Sequence, residues 1–298
     1  MNPLLSRLFA AMSAPERQRR FVVVLIAAVV LSNLFAVGLG VSSLIGSRAQ
    51  TEELVSQNAR NLTGMLDQSL ANSGRTIDMA LRALVDELER EEARSSYLDG
   101  DEIRSMLLRY KGWLPEIEGV YVFDARGGLR WQGQAGPVAS AAIADREYFR
   151  TLQDDAGAGL VVSRPVLGRV TGIWVVPFAR RYNRADGSFA GAVVAIVPVD
   201  YLTAMLSRPS LGPGGWAALR YRDYSLISRY PPVSGPTGEI GAAEGARERL
   251  AQGQDAAVFR TTDGEGGGDR FLAMQQVDGL GFVVWVLLSS HDFLSNWR

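Results

Sequence analysis

The sequence predicts an α+β fold that follows one membrane-spanning helix and one long amphipathic helix. Three observations support this prediction. An uncharged apolar run begins at Phe21, leucines then recur at helical spacing, and short β-branched and aromatic runs between glycine-rich turns fill the rest of the 298 residues. The composition, 47% hydrophobic and 21% charged, is typical of a chain with a packed core.

Charge and residue types exclude several classes of function. The formal net charge is −1, and no basic run follows the first arginines, so we expect no nucleic-acid partner. The chain has no cysteine and a single histidine, His291, which leaves no thiolate nucleophile and too few nitrogens for a typical transition-metal site. We therefore expect no metal, no cofactor and no catalytic residue.

The apolar run from Phe21 to Ile45 is long enough to cross a hydrocarbon core of ~30 Å as a helix. Four arginines precede it and two glutamates follow it, so residues 1–20 are predicted to be a cytoplasmic tail and the bulk of the chain to lie outside. The alternative is a cleaved signal peptide, for which Gly38 and Gly40 resemble a cleavage region. We prefer an uncleaved anchor at 21–45, because signal peptides have shorter apolar regions.

Residues 50–95 are predicted to form a long amphipathic helix without a proline. Its stripe residues recur mostly every three or four positions. They are Leu54, Leu62, Leu66, Ser69, Ser73, Ile77, Leu81, Leu84 and Leu88. The stripe is longer than one small domain easily covers, so we expect this helix to pack on the following domain, to pair with a second copy in a homodimer, or to do both.

Two similar sheet units are predicted after this helix. The first, 96–207, would contain a helix at Ile103–Leu114 and a short connecting helix at Val199–Leu206. Its strands are predicted at Gly119–Phe123, Leu160–Ser163, Gly172–Ala179 and Phe189–Val199. The second unit, 208–298, begins after the break Pro209–Gly215, with a helix near Gly245–Gln252. Its strands are predicted at Trp216–Tyr221, Ser225–Ser228, Ala256–Arg260, Phe271–Val277 and Phe282–Ser289.

Several strings in residues 50–298 resemble the double Cache sensor region of bacterial transmembrane receptors, in the version found in front of diguanylate cyclases and sensor histidine kinases. The strings are Asp145–Arg150 (DREYFR), Ser163–Gly172 (SRPVLGRVTG), Asp186–Gly191 (DGSFAG), Leu211–Gly215 (LGPGG), Ser228–Pro231 (SRYP) and Leu294–Arg298 (LSNWR). Each string alone is weak, and together they are specific.

This resemblance implies two tandem PAS-like units, the first distal and the second proximal to the inner membrane, with the bulk in the periplasm. In that family a second membrane helix and a cytoplasmic cyclase or kinase follow the last strand. The sequence stops at Arg298, so either the protein continues beyond it or the sensor has no output of its own. Gly267–Phe271 resembles the cyclase signature, but Arg270 replaces its glutamate, and we interpret the string as a glycine-rich turn.

Arginines and aromatic residues concentrate in one part of the first unit. The candidate ligand-binding residues are Arg146, Tyr148, Arg150, Arg164, Arg169 and Trp174. Guanidinium groups bind carboxylates through paired hydrogen bonds, and aromatic rings exclude water from such bonds, so we expect a small anionic ligand here and not in the second unit. The alternative interpretation is that these are ordinary surface arginines and core aromatics.

In the amino-acid-binding branch of the Cache family, an Arg-x-Trp-Tyr string binds the ligand carboxylate, and Arg146–Phe149 (REYF) is similar to it with both aromatics changed. That branch also needs a later tyrosine and acidic residues for the ammonium group. The corresponding positions here are Arg164, Val166, Arg169 and Pro198. The resemblance therefore implies a carboxylate site without its amine-binding half.

Two functions remain open at this point. The first is a sensor in which a small anion shifts the packing of the long helix and the signal crosses the membrane to a cyclase or kinase outside this chain. The second is an adaptor that recognises another envelope protein and holds no small ligand. An exposed apolar patch beside a shallow pocket would favour the adaptor.

Overall fold

The computed structural model describes residues 14–94, 100–133, 141–232, 254–261 and 270–289, together with residues 248, 252 and 292. The chain divides into two compact units, residues 1–54 and 55–298. The predicted helix near Gly245–Gln252, His291 and the string Leu294–Arg298 lie outside the described ranges, apart from residues 248 and 252.

The described part of the first unit is helical and belongs to α1 (Ala14–Arg94). Within it, the 22 residues Arg19–Gly40 are long and apolar enough to cross a membrane, judged by length and composition. Their large apolar side chains are exposed, as a lipid-facing helix requires. Asn33 donates to the carbonyl of Val29 at 2.9 Å, so this polar residue is satisfied within its own helix.

In the second unit, α1 buries a stripe whose members recur every three or four residues. The buried stripe is Val55, Ala59, Thr63, Leu66, Leu70, Gly74, Ile77, Leu81, Leu84 and Leu88. It packs in one core cluster with residues of both sheets. The helix therefore packs on the sheets that follow it, which is one of the two arrangements expected, and the predicted stripe residue Leu54 is exposed.

The first sheet is antiparallel, with strand order β2-β1-β6-β5-β3 and with β4 pairing β5. Its strands are β1 (Gly119–Asp124), β2 (Leu129–Gln132), β3 (Val161–Val162), β4 (Val166–Leu167), β5 (Trp174–Asn183) and β6 (Phe189–Pro198). Its helices are α2 (Gly100–Trp113) and α3 (Glu147–Asp154). The sequence missed β4, which has only two residues, and ended β5 too early because Arg180 and Arg181 interrupt the apolar pattern.

Helix α4 (Val199–Leu206) leads to the second sheet. That sheet is antiparallel as well, in the order β8-β7-β11-β10-β9. Its strands are β7 (Trp216–Tyr221), β8 (Leu226–Tyr230), β9 (Ala256–Thr261), β10 (Arg270–Val277) and β11 (Phe282–Ser289). Of the string Gly267–Phe271, Arg270 and Phe271 lie in β10, and residues 267–269 lie outside the described ranges. The predicted α+β class with two tandem sheets is confirmed.

Both sheets bury both faces. We call the face that shares the main core with α1 the inner face and the opposite face the outer face. In β1, Val120 and Val122 lie on the inner face, while Tyr121 and Phe123 join α3 in a separate outer cluster. The second sheet has a corresponding outer cluster that contains Trp285. The outer faces carry the sites described next.

Candidate functional site

A cleft lies on the outer face of the first sheet, between the sheet and two segments that cross it. It encloses about 440 Å³, including its open mouth. The floor comes from β1, β5 and β6, one wall from residues 141–148, and the other wall from residues 166–171. The lining residues are Tyr121, Phe123, Ala141, Ile143, Arg146, Tyr148, Val166, Leu167, Gly168, Arg169, Val170, Thr171, Val175, Pro177, Val194 and Ile196. A concave, mostly apolar lining with a few polar groups is typical of a small-molecule site.

The second wall is a hairpin formed by β4, a tight turn and the start of β5. The amide of Gly168 donates to the carbonyl of Ile173 at 2.8 Å, and the amide of Gly172 donates to the carbonyl of Gly168 at 2.8 Å. Gly172 has a φ of +70°, which favours glycine at this position. The turn therefore holds Arg169 and Thr171 at the cleft.

A bidentate ion pair joins the two walls. Arg169 donates from Nη1 and Nη2 to the two carboxylate oxygens of Asp145 at 2.7 and 2.6 Å, and it also contacts the carbonyl of Ala142. These hydrogen bonds from Arg169 lower the pKa of Asp145 to about 2 and raise the pKa of Arg169. The planar fork of Arg169 is thus occupied by a carboxylate of the protein itself.

Arg146 ties the same two walls together with a single hydrogen bond. It is the N-cap residue of α3, in an extended conformation, and its Nη2 donates to the carbonyl of Leu167 at 3.0 Å. A guanidinium group carries five N–H donors, so this bond leaves donors for another acceptor. Among the arginines that line the cleft, Arg146 is therefore the better candidate for a ligand anion.

Three hydroxyl groups supply the remaining polarity of the cleft. Tyr148 is buried, and burial is the main reason that its pKa is raised to about 12. The pKa of Tyr121 is also raised to about 12, chiefly by burial and then by the charge of Glu118. Among the described residues, the buried hydroxyl oxygens of Tyr121 and Thr171 have no hydrogen-bond partner. Buried polar atoms normally have one, so a ligand is a natural partner for both hydroxyls.

Tyr121 and Thr171 were not among the ligand-binding residues predicted from the sequence. The position of Tyr121 on the outer face could have been predicted from the sequence. Side chains alternate along a strand, which places Tyr121 and Phe123 on the face opposite to Val120 and Val122. A tyrosine inside a buried strand needs a partner for its hydroxyl group. Thr171 lies in a turn, where sequence has no comparable periodicity.

The structure brings Arg146, Tyr148 and Arg169 together at the cleft and places the other three candidates elsewhere. Arg150 is exposed, and its Nε donates to the carbonyl of Ala144 at 3.3 Å. Arg164 lies between Glu147 on α3 and Asp223 after β7, at 3.4 and 3.3 Å. Trp174 begins β5 with 42% of its surface exposed and does not line the cleft.

Arg164 thus connects the two sheet domains. Near it, the buried hydroxyl of Tyr221 in the second sheet donates to the carbonyl of Val162 in the first, at 2.9 Å. A polar gap lined by Glu147, Tyr148, Tyr221 and Arg222 lies beside these contacts. Tyr148 of α3 lines both this gap and the cleft, so the gap and the cleft are neighbours.

Two antiparallel sheets behind one long helix, with a cleft on the outer face of the first, are the arrangement that the resemblance to the double Cache sensor region implies. The predicted resemblance to that class is confirmed by solved structures. The extracellular domain of rpHK1S-Z16, described as a histidine kinase, has a TM-score of 0.71 at 26% identity, over 84% of this chain and 98% of that one.

Two further structures have the same fold at lower identity. The ligand-binding domain of the Campylobacter jejuni chemoreceptor Tlp3, in complex with L-valine, has a TM-score of 0.63 at 12% identity, over 83% of this chain and 97% of that one. The extracellular domain of mmHK1S-Z3, also described as a histidine kinase, has a TM-score of 0.62 at 17% identity, over 83% and 97%. No family model and no curated protein sequence matches the chain.

Proposed function

We propose that this chain is the extracytoplasmic ligand-sensing portion of a bacterial transmembrane signalling receptor. It would be held in the inner membrane by residues 21–45, with residues 1–20 in the cytoplasm and the bulk in the periplasm. The single observation that carries the proposal is the cleft of the first sheet, where Arg146 and two unpartnered hydroxyls face an apolar floor. The shared fold with extracellular domains of receptors supports it.

The ligand would be a small organic anion with a short apolar part. Its carboxylate would accept hydrogen bonds from Arg146 and from the hydroxyls of Tyr121, Tyr148 and Thr171, while the floor would cover its apolar part. A tyrosine whose pKa is about 12 remains protonated at neutral pH and can donate. Among the described residues that line the cleft there is no carboxylate, and the nearby Asp145 is bound by Arg169. This supports an organic acid over an amino acid, whose ammonium group would need an acceptor.

Within the proposed receptor, residues 96–207 form the membrane-distal unit, residues 208–298 the membrane-proximal unit, and residues 50–95 the signalling helix. A bound ligand would change the distance between the two walls of the cleft and hence the position of α3. Glu147 on α3 contacts Arg164, which in turn contacts Asp223 of the second domain. The signal would pass to a cytoplasmic diguanylate cyclase or histidine kinase, provided that the ligand binds two arrangements with different affinities.

The test is ligand binding to the full chain in nanodiscs, measured by calorimetry with a panel of organic acids, amino acids and amines. At least one acid should bind the wild type. Arg146 is partly exposed, and a hydrogen bond to a charged group contributes ~1.5–3 kcal/mol, so Arg146→Ala should weaken binding about tenfold or more. Arg150→Ala is the matched control, because Arg150 lies outside the cleft, and it should bind as the wild type does. Binding of amines alone, or equal binding by Arg146→Ala, would contradict the proposal.

A second candidate function, recognition of another envelope protein, is favoured by one observation. Leu167, Ile173 and Trp174 are large, apolar and exposed, and they lie together on the hairpin that walls the cleft. If this patch binds a protein partner, Trp174→Ser, a change outside the cleft lining, should abolish co-isolation of an envelope protein with the full chain. Ligand binding by the purified variant should be unchanged.

A further inference from the structure

The outer face of the second sheet carries a group of large polar side chains around one small residue. Ala218 in β7 is paired with Arg229 in β8 on one side and with Trp285 in β11 on the other. Along β7, Trp216 and Arg220 stand two positions before and after Ala218, and side chains two apart share a face. Two arginines and two tryptophans therefore surround the alanine.

The two arginines lie over the two indole rings. The guanidinium carbon of Arg229 is 4.9 Å from the centre of the Trp216 ring, and that of Arg220 is 4.9 Å from the centre of the Trp285 ring. A cation–π contact with a ring leaves the N–H donors of a guanidinium group to be paired by other acceptors. Arg220 uses one of its donors on the carbonyl of Tyr224, at 2.7 Å.

Two buried donors in this group have no acceptor among the residues that the structure describes. They are Nε of Arg229 and Nε1 of Trp285, and Trp285 is only 1% exposed. A buried donor without an acceptor costs ~1–3 kcal/mol, and more when the group is charged. Burial also lowers the pKa of Arg229.

We propose that this face of the second sheet is a second ligand site and that it binds a small carboxylate between Arg229 and Trp285, above Ala218. Both unpartnered atoms are donors that cannot accept, so the missing partner must be an acceptor. A carboxylate supplies two oxygens and a negative charge that offsets the buried guanidinium. The first cleft differs, because its unpartnered atoms are hydroxyls, which both donate and accept. The site is independent of the cleft and departs from the expectation that only the first unit binds a ligand.

The test uses the full chain in nanodiscs of neutral phosphatidylcholine, titrated with acetate, succinate or inorganic phosphate and followed by tryptophan fluorescence. Acetate or succinate should bind saturably to the wild type and also to Arg146→Ala, in which the first cleft is impaired. Arg229→Met should weaken this binding at least tenfold. Trp285→Phe, which keeps an aromatic ring and removes the N–H group, should weaken it several-fold with a similar thermal midpoint.

Arg222→Met is the matched control, because Arg222 also lies over an aromatic ring, that of Tyr221, in the same domain but is exposed. It should bind acetate or succinate as the wild type does. The proposal is overturned if neither carboxylate binds Arg146→Ala, if Arg229→Met binds as tightly as its parent, or if only phosphate binds. If instead the first cleft binds no ligand, the wild type and Arg146→Ala should bind organic acids equally. Only Arg229→Met should then lose this binding.

Discussion

Nε of Arg180 on β5 donates to Oδ1 of Asp78 on α1 at 2.6 Å, and the two side chains are only 15% and 18% exposed. Two other residues of β5, Val175 and Pro177, lie in the floor of the ligand cleft. The ion pair therefore joins a strand in the floor of the cleft to α1. Shielding from water makes such a pair sensitive to the loss of either partner.

Asp78→Ala should destabilise the protein by about 2–3 kcal/mol, because it leaves the largely buried charge of Arg180 without its partner. Urea unfolding of the full chain in mild detergent, followed by tryptophan fluorescence, measures this loss. Asp78 also pairs with Arg82 at 3.1 Å, but Arg82 is mostly exposed. Arg82→Ala should therefore change the free energy of unfolding by less than about 0.5 kcal/mol. Equal effects of the two substitutions would contradict a special role for Arg180.

Tyr121→Phe should leave the stability of the ligand-free protein unchanged or raise it by up to about 1 kcal/mol, since it removes a buried hydroxyl that has no partner. The same change should weaken ligand binding about threefold to tenfold, through loss of one neutral hydrogen bond. Tyr221→Phe is the matched control, because its hydroxyl is bonded to Val162. That variant should lose about 1 kcal/mol of stability and bind the ligand normally. Destabilisation by Tyr121→Phe in the ligand-free state would show that its hydroxyl has a partner.

The ion pair of Asp145 and Arg169 should stabilise the protein at neutral pH, and this stabilisation should be lost in acid. The pKa of Asp145 is lowered from 3.8 to about 2 in the folded protein, so its contribution is complete above about pH 3.8 and is lost as the pH falls through about 2. Because water screens this largely exposed pair, Asp145→Asn should have only a slightly lower thermal midpoint than the wild type at pH 7, and the difference should vanish below about pH 2. Arg169→Gln should give the same profile, because it removes the other half of the pair. A midpoint difference independent of pH would count against this assignment.

We expect a homodimer through the exposed face of α1 and not through its leucine stripe. That stripe is buried against the chain's own sheets, whereas Met65 and Met79 are 66% and 63% exposed on the same helix. Cysteines introduced at Met65 or Met79 should form disulfide-linked dimers in membranes, and a cysteine at the buried Leu66 should not. The absence of crosslinks at both methionine positions, with a monomer in analytical ultracentrifugation, would exclude this dimer.

An uncleaved membrane anchor predicts a defined topology. A reporter fused after Arg298 should be active only when it is an enzyme that works outside the cytoplasm, because the arginines before Phe21 hold the N-terminus inside. The mature protein should keep its first residues, as read by N-terminal sequencing. Cytoplasmic reporter activity, or a mature chain that begins after Ser47, would refute the topology.

The sequence by itself determined most of the elements and their order, although not β4 or α3. Short apolar runs bounded by turn residues located β7 and β11, and the connecting helix α4 was predicted with both of its ends. The strings Asp145–Arg150 and Ser163–Gly172 also led to Arg146, Tyr148 and Arg169, which meet at the cleft. These features depend on neighbours in the sequence, where local conformation and turn chemistry dominate.

Only the tertiary structure decided which side chains meet across the sheets. Arginine side chains are long and flexible, so sequence could not show that Arg164 joins Glu147 to Asp223 while Arg169 holds Asp145. Nor could it show that the leucine stripe of α1 is covered within one chain, since that depends on how both sheets pack against the helix. Nor could the sequence show that the hydroxyls of Tyr121 and Thr171 lack partners among the described residues. Whether a buried polar atom has a hydrogen-bond partner depends on the atoms that folding places around it.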